Sequence, residues 1–155
     1  MKREAGPGAA RGAAPAAAAI SLAPGTQDSG LAAMLVELIQ TNLAERPAKR
    51  VDFDRLEAAI SIEARDAEVT ITLDFQGGAL VVHAGVHGEP AIRISADSAA
   101  VLDLPALRIA RGVPMLLNAE GRKLIAKLLS GEVRIRGLFH ALTLLRLTRL
   151  MSVNG

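Results

Sequence analysis

The amino-acid sequence predicts an α+β domain: a five-stranded, mostly antiparallel sheet with helices packed on one face. Three observations carry this. Apolar residues recur at helical spacing from Leu31 to Ile39 and crowd the stretch Leu138–Met151. Between those stretches apolar and polar residues alternate with a period of two, the pattern of strands with one buried face. The strands are laid down as a run, with most of the helical sequence after them, which places the helices together against one side of the sheet.

Taken in order, residues 1–30 are Ala, Gly and Pro with a few charges and no periodicity, the composition of a disordered tail ahead of a domain over 31–155. Lys2 and Arg3 precede an apolar run, Ala16–Ala23, as in a signal peptide. Pro7, Gly8, Gly12 and Pro15 interrupt the intervening stretch, so the expectation is a cytoplasmic protein. A first helix places Leu31, Leu35, Leu38 and Ile39 on one side and Glu37, Gln40, Asn42 and Glu45 elsewhere, capped by Asp28 or Ser29 and stopped by Pro47. A solvated connection, Arg46 to Arg55, leads to strands in which Ile60, Ile62 and Ala64, then Val69, Ile71, Leu73 and Phe75, alternate with polar residues. Gln76-Gly77-Gly78 predicts a tight hairpin, because glycine supplies the positive φ it needs. Ala79–Val86 and Ala91–Ser95 complete a four-strand meander, the second turn falling at His87-Gly88-Glu89-Pro90. Asp97 or Ser98 caps a short helix through Leu104, and Pro114 opens a further helix running to Leu129. Glycines bracket a fifth strand, Gly131–Gly137, which feeds a terminal helix over Leu138–Met151.

Composition excludes several functions. The 155 residues include no Cys, which removes disulfides, thiol catalysis and zinc thiolates. With no Trp, no Tyr, three Phe and a net charge of +2, the chain lacks the stacking platforms and broad basic surface of a nucleic-acid binder. No stretch is apolar for the roughly 18 to 20 residues that a membrane-spanning helix needs. His83 and His87, with Glu89 nearby, stand about 13 Å apart on an extended strand, so they chelate one ion only if the turn folds His87 back. Asp97 and Ser98 read as helix-capping residues, since no nucleophile-elbow sequence surrounds the serine. No combination of acid, base and nucleophile emerges, and the expectation is a protein that is not an enzyme and holds no metal or cofactor.

What remains is apolar surface in excess and charge unevenly placed. From Val51 to Phe75 seven acids face two bases, whereas from Glu120 to the end seven bases face two acids. The bland reading is a set of solvated faces, and the functional one is a basic end drawn to anionic membrane. On the terminal helix His140, Thr143, Arg146, Thr148 and Arg149 scatter without forming a polar stripe, so apolar surface faces both the sheet and something else.

The order of elements, with the segments VTITLDFQGGALVV (69–82), AIRISADS (91–98) and GEVRIRG (131–137), resembles the sterol carrier protein 2 family of lipid-binding domains over about residues 31–153. The resemblance implies an apolar cavity between sheet and helices and non-catalytic carriage of a hydrophobic lipid: a sterol, an isoprenoid quinone precursor, a fatty acyl chain or a phospholipid. Bacterial relatives of this type include accessory carriers for isoprenoid quinone synthesis. The lining expected is Leu73, Phe75, Leu80, Val82, Ile92, Ile94, Val133 and Ile135 from the sheet, with Leu102, Leu107, Met115, Leu116, Leu124, Leu128, Leu138, Leu142 and Leu145 from the helices. Arg146 and Arg149 are the residues expected to meet a transient anionic membrane surface. The competing reading keeps the fold, fills the cavity with the protein's own side chains, and uses the last helix to dock lipid-biosynthetic enzymes. Each lining position taken singly also reads as ordinary aliphatic core.

Overall fold

The computed structural model describes residues 18–103, 109–110, 113–114, 122, 126, 130–131 and 133–152. The expected tail over residues 1–17, Leu107, the stretch 115–120 of the expected helix from Pro114, and its Leu124 and Leu128 lie outside the described residues, as do the side chains of Leu102 and Leu138.

The sheet has six strands and is mixed, where sequence alone predicted five in a mostly antiparallel arrangement. Strand β1 (Ala19–Leu22) lies inside the stretch expected as tail; it pairs in parallel with β4 (Ala79–Ala84) and covers that edge of the sheet. Next to β4 come β3 (Val69–Gln76) and β2 (Glu57–Ala64), antiparallel as expected, with Ile62 opposite Ile71 and Leu73 opposite Val82. The turn between β3 and β4 holds Gly77 at φ 59° and Gly78 at φ 94°, the paired positive φ of a two-residue hairpin.

The second departure follows that hairpin. Strand β5 (Ile92–Ala96) does not extend a meander but pairs in parallel with β2, so residues 85–91 cross from one side of the β3–β2 pair to the other. The crossing is pinned on the sheet's outer face. Thr72 Oγ1 donates to Gly85 O at 2.8 Å and accepts from the His87 amide at 3.0 Å, and the Ala91 amide donates to Ala59 O at 2.9 Å. Thr72 is thereby fully buried and Ser61 nearly so, on a face that alternation alone assigns to solvent. The loop does fold His87 back, and its ring stacks on His83 with centroids 3.7 Å apart and planes within 1° of parallel. Ring-nitrogen lone pairs lie in the ring planes, so rings stacked this way do not converge on one ion.

Beyond β5, strands β6 (Ile109–Ala110) and β7 (Val113–Pro114) form a short antiparallel pair, so Pro114 sits in a strand rather than opening a helix. Strand β8 (Val133–Arg136) runs antiparallel to β5 at the far edge, giving the order β1-β4-β3-β2-β5-β8.

Helices cover one face, as expected. Helix α1 (Gly30–Glu45) is capped by Ser29, whose hydroxyl accepts from the Ala32 amide, and buries Ala32, Leu35, Ile39 and Asn42. The connection expected to be solvated contains α2 (Lys49–Asp54), which exists to bury Phe53 edge-on against Phe75, with ring centroids 6.0 Å apart at 79°. Helix α3 (Ser98–Asp103) starts where predicted. Its first amide and the Ser98 hydroxyl both donate to the Asp66 carboxylate, at 2.7 and 2.8 Å, which holds that carboxyl below its ordinary pKa. The last element is a 3-10 turn (Leu138–His140) followed by α4 (Ala141–Met151).

Candidate functional site

The inner face of the sheet splits into two regions. Toward β4 and β3 the expected lining residues Leu73, Phe75, Leu80 and Val82 are buried to 2% exposure or less and belong to one core with Leu35, Ile39 and Phe53. Ile92, Ile94 and Val133 belong to the same core, as do Leu147, Leu150 and Met151. Ile135, opposite Ile94 in register, is only partly buried.

Helix α4 divides in the same way. Its C-terminal half carries Leu147, Leu150 and Met151 into the core, while in its first half Leu145 is partly buried and Leu142 is 69% exposed. Leu142 and Leu145 stand three apart and share a helix face. Immediately before the helix, Phe139 is fully exposed, at 103%. Of the three phenylalanines, two form the centre of the core and the third projects from the molecule. Thus the structure brings seven of the expected sheet residues into a packed core, and leaves Ile135 and Leu145 partly buried and Leu142 exposed.

The C-terminal half of α4 is fixed by two groups that sequence alone placed in solvent and the structure buries, Asn42 of the first helix and Lys49 of the connection after it. The Asn42 amide donates to Leu150 O and Met151 O at 3.0 and 3.1 Å, and the Lys49 ammonium donates to Ser152 O and Leu150 O. Together these meet carbonyls that a helix end leaves without intrahelical partners, and a cation there suits the negative pole of the helix. Lys49 is only 6% exposed. Burial, reinforced by nearby Arg46 and opposed by Asp52, lowers its pKa from 10.5 to about 8. Spacing held a signal for Asn42: it falls three residues after Ile39, on the stripe of Ala32 and Leu35, as a polar residue at a core position.

Arg146 and Arg149, expected at a membrane, are partly exposed and each makes a contact across to the segment around α2. Arg146 donates to Arg55 O at 3.1 Å, and Arg149 pairs with Asp52 at 3.5 Å. Part of the charge asymmetry between acidic and basic segments is therefore resolved where α4 meets α2. Among the described residues no group of three or more His, Asp or Glu side chains is arranged to hold a metal ion, and no helix is long and apolar enough to cross a membrane.

Helices on one face of a mixed sheet, closed by a glycine-bracketed edge strand and a terminal helix, define an α+β class. The fold is the sterol carrier protein 2 fold. It is shared with a solved structure described as "UbiJ-SCP2 Ubiquinone synthesis protein" (TM-score 0.55, 18% identity, 77% of this chain and 90% of that one). It is shared also with the sterol carrier protein domain 2 of Helicoverpa armigera (TM-score 0.53, 14% identity, 79% of this chain and 87% of that one). No family model matches the chain, and no curated protein matches it in sequence.

Proposed function

We propose that the protein binds and carries a hydrophobic lipid, without catalysis, at the margin where the inner sheet face runs out under the first half of α4. The observation that carries this reading is the contrast along α4: Leu150 is fully buried, whereas Leu142 is 69% exposed on the same helix. Apolar side chains left uncovered next to a packed core are what an apolar ligand covers. The fold supports the reading, since the structural neighbours include a sterol carrier domain and a ubiquinone synthesis protein. By that analogy the ligand class is a sterol, isoprenoid quinone precursor, acyl chain or phospholipid, exchanged by transient contact with a membrane.

A second reading is a non-transporting accessory subunit of a lipid-biosynthetic complex that docks through α4. The specific observation favouring it is that Leu73, Phe75, Leu80 and Val82, four of the residues expected to line a cavity, are already packed against the protein's own side chains. Solvent extraction of the purified protein followed by mass spectrometry separates the two, combined with displacement of a fluorescent lipid probe. Carriage requires co-purified lipid or saturable probe binding; neither would leave the accessory reading.

A further inference from the structure

We propose that the corner formed by the outer face of β5 and β8 and the start of α4 is the surface that docks on an anionic lipid bilayer. This deepens the carriage reading and rests on it. Arg93 and Arg136 are direct cross-strand partners, and Arg134 follows on the same face two residues before Arg136. All three side chains are exposed, and no ion pair joins any of them to a carboxylate of the described residues. Like charges placed directly opposite each other on a sheet repel, so this pair is a cost to the isolated domain that an external anion relieves.

The corner is also apolar where it projects. Gly137 turns the chain at the end of β8, and two residues later Phe139 stands fully exposed, with Leu142 69% exposed one helical turn further on. From Val133 to the end the sequence contains no acid; on the same sheet face Glu63 of β2 stands opposite Ser95, diagonal to Arg93, and the three arginines outnumber it. A cluster of arginines beside a projecting aromatic and a leucine matches the two layers of a bilayer surface, anionic headgroups and acyl chains beneath them. Leu142 belongs to both this corner and the open margin proposed for the ligand, so docking would set that margin against the membrane from which a lipid comes. By contrast Arg149, the basic residue of α4 held by Asp52, is not part of the surface.

The test is co-sedimentation of the full chain with vesicles of phosphatidylcholine alone and of phosphatidylcholine mixed with phosphatidylglycerol. The wild type should bind the mixed vesicles, lose that binding as salt rises, and bind the neutral ones weakly. Arg134→Gln with Arg136→Gln should lower partition onto mixed vesicles about 30-fold. Phe139→Ser should lower it about 10-fold, with no loss of melting temperature because the ring has no packing partner to lose. Arg149→Gln should bind like the wild type. Equal binding to both vesicle types, an Arg149→Gln loss as large as that of the double variant, or capture by soluble polyglutamate with no vesicle binding would overturn the proposal; the last would point to an acidic protein partner instead. Extraction and mass spectrometry on the same preparations keep the two ideas apart. Lipid held in solution without vesicle binding defeats the docking corner alone, and vesicle binding without any held lipid defeats carriage alone.

Discussion

Gly137 shows how far one residue constrains this fold. Its φ of 92° belongs to glycine, and a Cβ built there would lie 2.1 Å from Ala91 O, a backbone atom that cannot swing aside. Gly137→Ala therefore adds a steric clash to a strained backbone and should destabilise by at least about 3 kcal/mol in chemical denaturation. Gly30→Ala, where nothing lies within 4 Å of the added atom, should be neutral or stabilise by about 0.5–1 kcal/mol. Lys49 gives a prediction in pH. Its pKa is about 8 in the fold against an ordinary 10.5, so between those values the unfolded chain holds a proton that the folded chain has released. Stability should rise with pH across that window, by on the order of 3 kcal/mol, because the cost of burying the ammonium disappears. With no Cys or Tyr in the chain, only the other lysines and the amino terminus titrate nearby. Denaturation midpoints followed from pH 7 to 11 should climb for the wild type and stay level for Lys49→Met; a level wild-type profile would contradict the burial cost.

Among the elements, α4 has two halves whose leucines should behave differently. Leu150→Ala removes a fully buried side chain and should cost about 2–5 kcal/mol. Leu142→Ala with Leu145→Ala should change melting temperature far less while weakening affinity for a fluorescent lipid probe. A large thermal loss with unchanged probe affinity would assign both to the core. One hydroxyl, that of Thr72, holds the middle of the crossover loop. Thr72→Val removes its part-buried hydrogen bonds with the His87 amide and Gly85 carbonyl and should cost about 0.5–1.5 kcal/mol. The same change should unstack His83 and His87, seen as altered imidazole proton shifts in NMR spectra. Period-two alternation made β2, β3 and β4 legible because each buries one face. It found β5 as a strand but not its neighbour, since alternation states which way side chains point and not which strand lies alongside. It misjudged Thr72 for the same reason: a loop crossing the outer face makes an interior where the pattern shows a surface.

For the whole molecule, the class and the one-sided helices were legible from the order of periodic segments, and the sheet's far ends were not. Ala19–Leu22 is too short and too plain to stand out from the alanine around it, and it becomes a strand only because β4 offers an open edge. The candidate site was legible as a pool of apolar residues, whereas its division into core and open margin depends on how α1, α2 and α4 settle against the sheet. That settling also has a consequence for the order in which the protein is made and lost. The bonds from Asn42 and Lys49 to residues 150–152 span more than 100 residues of chain. Closing so long a loop is entropically slow, so these bonds form after the local hairpins of the sheet. Interactions absent from the folding transition state act on the escape rate. Asn42→Ala should therefore accelerate unfolding in stopped-flow traces while leaving the folding limb almost unmoved. The residence time of the native state is set by two side chains near the start of the domain holding the last turn of its final helix.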